Sequence, residues 1–128
     1  MKTPFLILVL CVLSANIQAQ QDFQERAKLA LKAGDSQKLS RFCSEKIEFG
    51  NEGDAKTMSL RTAGEHLARF FSSNPPEDAS IQFQGKGRDG RKFMICQYKS
   101  RNGNGFRFSF YWKEQAAPAF ESIDISKD

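Results

Sequence analysis

His66 is the single histidine of the chain, so neither a cluster of histidine metal ligands nor a His–His pair can form. Acid–base chemistry at neutral pH would centre on His66 with a carboxylate to orient it, or on a carboxylate opposite a tyrosine hydroxyl. Glu65 and Asp54 lie close along the chain. Adjacent helix residues do not face each other, however, so sequence proximity sets neither acid beside the imidazole. Tyr98 and Tyr111 are the only tyrosines, and Tyr111 reads as lying on the outward side of its strand. No catalytic set is legible, and His66 also reads simply as a partly exposed helix residue.

One histidine and, with Cys11 set aside in the apolar N-terminal run, two separated cysteines offer no zinc-site spacing, so no metal is expected. The glycine-rich stretches at 85–90 and 102–105 lie between strands rather than ahead of a helix, which makes them hairpin turns and not phosphate loops. No cofactor is expected either. Cys43 and Cys96 either form a disulfide, which an oxidising compartment permits, or remain two small buried thiols.

Two larger groups of residues could bind rather than react. Phe106, Phe108, Phe110 and Trp112 alternate with Arg107, Ser109, Tyr111 and Lys113, the period of a half-buried strand. This stripe is either core or one wall of a small apolar pocket that His66, Leu67, Phe70, Phe83, Phe93 and Ile95 would complete with Phe108 and Phe110. Residues 85–113 also carry eight basic side chains against one acid, a net +7. Arg88, Arg91, Lys92, Lys99, Arg101, Arg107 and Lys113 form a candidate patch for an anionic partner. The alternative is a solvated sheet face whose cations discourage edge pairing. Nucleic acid is not an expected partner, because few exposed aromatics are available to stack bases.

The elements that must position these groups follow from period and punctuation. Phe23, Ala27, Ala30 and Leu31 make one apolar stripe on a helix from about Asp22 to Ala33, which Gly34 ends. Asp35 can cap a short second helix with Leu39, Phe42 and Cys43 inside. Lys46–Phe49 and Ala55–Ser59 read as two strands around a Gly50–Asp54 turn. A third helix buries Ala63, Leu67, Phe70 and Phe71, capped by Thr62 with Glu65 or earlier by Ser59, and stops at Asn74-Pro75-Pro76. From Ser80 onward the period is two. Ile81 and Phe83 share a face, turns fall at Asp89-Gly90, Asn102–Gly105 and Ala116–Pro118, and Ile123 and Ile125 share a face in the last strand. The result is an α+β domain in which helices pack on a curved, mostly antiparallel sheet ending in a four-stranded meander.

Residues 1–19 have the order of a cleaved signal peptide: Lys2, an apolar run from Phe5 to Leu13, and a more polar stretch ending at Ala19. The run is short of the roughly 20 residues that span a bilayer, so no retained transmembrane helix is expected. Leu10 is too large to precede a lipidated Cys11. Gln20–Asp128 would then be one exported domain of 109 residues with 18 basic and 15 acidic side chains, periplasmic or extracellular.

Ala-Leu-Lys-Ala-Gly-Asp at 30–35, Phe70-Phe71 before Asn74-Pro75-Pro76, and Gly85 leading into Asp89-Gly90 together resemble an exported bacterial family. This is domain of unknown function 4783, found mostly in Bacteroidota, within the nuclear-transport-factor-2-like superfamily. The resemblance runs from about Phe23 to Ile125. It implies a cone-shaped fold able to enclose a pocket, and it implies no reaction. Superfamily members include dehydratases, isomerases, ligand binders and dimerising scaffolds, so function has to come from the site. The expectation is a non-catalytic exported domain that binds a small apolar ligand or an anionic or protein partner. The alternatives are a small pocket enzyme of dehydratase or isomerase type and a homodimeric structural module.

Overall fold

The computed structural model of the chain describes residues 22–128. The signal peptide read at residues 1–19, and the cleavage point before Gln20, lie outside the described residues.

Helix α1 is described over residues 22–33, with Ala27 and Leu31 fully buried. It ends on Gly34 at φ +64°, where the Gly34 N–H donates to the Leu31 carbonyl (3.0 Å) and the Asp35 N–H to the Ala30 carbonyl (3.1 Å). That bond pair satisfies the last carbonyls and requires a left-handed residue. A side chain at Gly34 would also meet Pro76, whose Cγ lies 2.9 Å from the position of a Cβ. Gly34→Ala is therefore expected to cost about 2–4 kcal/mol, combining left-handed strain with overpacking against a rigid ring. Gly53, at φ +83° with no atom within 4 Å of its Cβ position, supplies the control. Urea midpoints of the two alanine variants should differ by the packing part, and equal midpoints would remove Pro76 from the account.

Asp35 caps α2 (Ser36–Ser40), its Oδ1 accepting the Lys38 N–H at 3.1 Å. The helix is shorter than its apolar pattern suggests: Leu39 is its buried residue, while Phe42 and Cys43 lie past its end. The Phe42 carbonyl is instead taken by the Phe120 N–H at 2.7 Å, so sheet pairing draws the chain out of the helix. Helix α3 (Leu60–Ser73) starts one turn earlier than a Thr62 cap would set it, because the Ser59 Oγ accepts the Thr62 N–H at 3.2 Å. Ala63, Leu67 and Phe71 form its buried face.

Six strands make one sheet: β1 (Cys43–Asn51), β2 (Asp54–Ser59), β3 (Pro76–Lys86), β4 (Lys92–Ser100), β5 (Gly105–Trp112) and β6 (Phe120–Lys127), in the order β2-β1-β6-β5-β4-β3. Strands β3 to β6 are the expected antiparallel meander. The β1–β2 hairpin extends it through a parallel pairing of β1 with β6, so the sheet is mixed. Strand β3 begins at Pro76, earlier than Ser80, which an edge strand tolerates at its first residue.

The sheet's inner face packs on the helices. Phe108, fully buried, contacts Phe70 (5.2 Å between ring centroids), Tyr98 (5.4 Å) and Phe110 (6.1 Å). The Tyr98 hydroxyl donates to the Asn74 carbonyl, tying β4 to the end of α3, and burial pushes its pKa up to about 12. Cys43 and Cys96 are free thiols. They sit on β1 and β4, three strand spacings of about 4.8 Å apart, well beyond the reach of a disulfide. Burial raises both thiols to about 12.

Candidate functional site

The eight residues of the expected apolar pocket do not come together. Leu67, Phe70, Phe108 and Phe110 meet inside the cone, where Phe70 packs between Tyr98, Phe106 and Phe108. There the aromatic rings fill the space between α3 and the sheet. Phe83, Phe93 and Ile95 lie on the opposite, outer face. Two local facts put them there. A register shift between Ile81 and Phe83 inserts one residue, so Ile81 pairs with Cys96 but Phe83 with Ile95. Such a bulge reverses which side of the pleat the following residues occupy, and Phe83 is left 59% exposed. On β4, Met94, Cys96 and Tyr98 are buried, which sends Phe93 and Ile95 outward by alternation.

Among the described residues His66 forms no ion pair with an acid. Its ring stacks on Phe49, 5.5 Å between centroids and 20° between planes. Glu65 points instead towards Arg61 at 3.9 Å, and Asp54 opens the edge strand β2. The Tyr98 hydroxyl is engaged with Asn74, and Arg91 lies over the Tyr111 ring at 5.4 Å. Among the described residues no three His, Cys, Asp or Glu side chains are grouped as metal ligands would be.

The outer face has an ordered layout that registers define row by row. One row runs Phe83, Ile95, Ser109, Asp124, Gly50 and Ala55 across all six strands. The next runs Gly85, Phe93, Tyr111, Ser122, Glu48 and Thr57. Phe83, Ile95, Phe93 and Tyr111 are thus neighbours across β3 to β5 and form an apolar band. Small residues occupy the middle, and Gly50 leaves room for the Asp124 carboxylate above β1. Arg107 and Lys99 stand in the rows on the other side, with Gln97 beside Arg107 hydrogen-bonded to Asp128.

The basic residues are not gathered into one patch either. Arg88 and Arg91 belong to the β3–β4 turn and Lys113 follows β5, whereas Lys99 and Arg101 are at the far end of β4, about 25 Å away along nine residues of strand. Alternation sends Lys92 to the helix side opposite Trp112, where it and Lys86 approach Glu114 at 4.0 and 3.0 Å. The hydrogen bond from Lys86, and then the charges of both lysines, hold the Glu114 carboxyl below its usual range. Arg101 is spent on the turn, its Nε donating to the Pro76 carbonyl at 3.2 Å. Only Arg107 and Lys99 of the seven stand among the outer-face rows, with Arg91 lying over Tyr111 at the end of the apolar band. Tyr111 completes that band and was legible from its outward alternation, although it carries no obvious binding signal by itself.

Helices on one side of a curved sheet closed by a β3–β6 meander define an NTF2-like α+β domain. An NTF2-like protein of unknown function from Shewanella baltica has this fold, with a TM-score of 0.66 at 11% identity, covering 90% of this chain and 95% of that one. The chain belongs to the family named Domain of unknown function (DUF4783), which it matches over residues 24–125. A DUF4783 family protein from Bacteroides fragilis is similar at 30% identity and a TM-score of 0.73, covering 80% of this chain and 96% of that one. Another from Bacteroides ovatus gives 27% identity and 0.73, covering 80% and 93%. No curated protein matches the chain. The names of these relatives state no activity.

Proposed function

We propose that the protein is an exported, non-catalytic binding domain whose working surface is the outer face of the sheet, where it docks a second copy of the chain. The observation that carries this reading is Phe83, 59% exposed beside Ile95, Phe93 and Tyr111 on the face turned away from the helices. An apolar cluster of this kind on a soluble domain marks an interaction surface. The face is also self-complementary. Apolar band can meet apolar band, while Arg107 and Lys99 on one side and Asp124 and Glu48 on the other supply both signs of charge at its margins. Such separation fixes orientation more than it adds affinity. Six strands give a face about 24 Å wide, at the small end of stable interfaces, so micromolar affinity or weaker is expected. Export rests on the order of Lys2, Phe5–Leu13 and Ala19, and the non-catalytic reading on His66 stacked against Phe49 with its neighbouring acid turned to Arg61.

Sedimentation equilibrium tests the reading. The wild-type protein should show a concentration-dependent dimer, and Phe83→Asp should be monomeric with an unchanged circular dichroism spectrum. A wild type that stays monomeric up to about 1 mM would remove the interface. Turnover of lactones, hydroxyacids or keto compounds that His66→Ala abolishes would remove the non-catalytic reading.

A further inference from the structure

Among the described residues, one large apolar side chain besides Phe83 is conspicuously exposed. Leu29 on α1 is 50% accessible, although α1 otherwise separates its faces well. Arg26, Leu29, Ala30 and Ala33 recur at i, i+3, i+4 and i+7, a second stripe on α1 beside the one that enters the core. Across from this stripe, Lys38 on α2 and Arg41 and Phe42 just after it complete a groove of about 500 Å³. The volume is that of small-molecule sites. It lies on the helix side of the domain, away from the outer sheet face.

The charge of the groove is one-sided. Arg26, Lys38 and Arg41 line it, and no carboxylate does. Of the four other cations on the helices, Lys28 pairs with Glu25 at 2.7 Å, Lys32 with Asp78 at 3.5 Å and Arg61 with Glu65 at 3.9 Å, while Arg69 pairs with no acid among the described residues. Arg26, Lys38 and Arg41 form no ion pair among the described residues, and residues 1–21 contain no acid that could supply one. The nearby Asp35 is not among the lining residues; its Oδ1 accepts the Lys38 backbone N–H. The groove thus sets three cations beside the apolar surface of Leu29, Ala33 and Phe42 with no acid among its lining residues. An anion with an apolar body complements both parts of that lining.

We infer that the α1–α2 groove is a binding site for a single-chain carboxylate amphiphile, with its head group among Arg26, Lys38 and Arg41 and its chain along Leu29, Ala33 and Phe42. A guanidinium presents a planar fork that matches a carboxylate, and two of the three cations are arginines. The apolar wall explains why the ligand is an amphiphile and not a free inorganic anion: Leu29 and Phe42 gain nothing from phosphate. Leu29 is exposed at the groove's edge, so part of the chain remains in water and the affinity is modest. The site is independent of the outer-face interface, so either can fail while the other stands.

Dodecanoate, used below its micelle concentration, is the probe, with titration followed by calorimetry and by the methyl resonances of Leu29. Saturable binding is expected, with Leu29 shifts that track occupancy. Arg26→Gln combined with Arg41→Gln should weaken it about tenfold, the scale for two part-exposed charge contacts. Leu29→Asp should weaken it at least as much, and raising salt from about 0.15 M should weaken it in the wild type but little in the double arginine variant. Phe83→Asp should leave it unchanged. No saturable binding up to about 1 mM would overturn the assignment. So would equal affinity for dodecyl maltoside, which has the chain without the charge, or for acetate, which has the charge without the chain. Binding to anionic vesicles with none to monomeric dodecanoate would reassign the groove to a membrane surface and likewise overturn it.

Discussion

Phe108→Ala should destabilise the domain by about 3–5 kcal/mol, whereas Phe83→Ala should change stability by no more than about 0.5 kcal/mol. Both are phenylalanines on alternating strands of the same meander, and their sequence contexts look alike. Phe108 is wholly buried among Phe70, Phe71, Tyr98 and Phe110, so truncation opens a cavity that ring packing on all sides prevents from collapsing. Phe83 is already 59% in water, and its loss removes little buried surface. Against a total margin of about 5–15 kcal/mol, the first change threatens folding and the second does not. Urea denaturation separates them directly. Comparable losses for the two variants would mean that Phe83 packs on the same core and that the bulge before it is misplaced. A small loss at Phe108 would instead point to an adaptable interior able to admit a ligand.

The second large effect is alkaline unfolding. Cys43 and Cys96 shift from 9.0 to about 12 on folding, and Tyr98 from 10.0 to about 12, each because burial penalises the charged form. All three keep their protons in the folded state while the unfolded chain gives them up. The stability from neutral burial is therefore complete below pH 9 and is lost progressively towards pH 12. Each group costs about 1.4 kcal/mol per pH unit above its unfolded value, so together they remove on the order of 5–10 kcal/mol by the top of that window. Thermal melts from neutral pH to about 11 should show Tm falling steeply once the thiols begin to titrate. Cys43→Ala combined with Cys96→Ala should flatten the first part of that fall, leaving the tyrosine limb. A Tm that stays level through this range would show that the three groups are more accessible than their packing indicates.

These two effects bear on function through one contrast. Aromatic rings fill the space between α3 and the sheet, and among the described residues the two large exposed apolar side chains lie elsewhere, Phe83 on the outer face and Leu29 in the α1–α2 groove.

Several features were determined by the sequence alone because they depend on residues within one or two turns of each other. The stop at Gly34, the Asp35 cap, the end of α3 at Asn74-Pro75-Pro76 and the hairpins at Asp89-Gly90 and Asn102–Gly105 are of this kind, as is the shared face of Phe108, Phe110 and Trp112. So, through their order, was the family. The site residues were decided only in three dimensions. Along Phe93-Met94-Ile95-Cys96 both parities are apolar, so alternation cannot choose the buried side, and pairing with β5 and β3 makes the choice. One extra residue after Ile81 turns Phe83 outward, and nothing local in a run of glutamines and apolar residues marks where the register slips. The cations of residues 85–113 share a stretch of sequence but not a surface, since strand length and alternation separate them. Those of the α1–α2 groove share a surface while acids in the same stretch of sequence hide their charge. Period and capping are properties of a segment, whereas register, bulges and the company a charge keeps belong to its partners, and the candidate sites are built from partners.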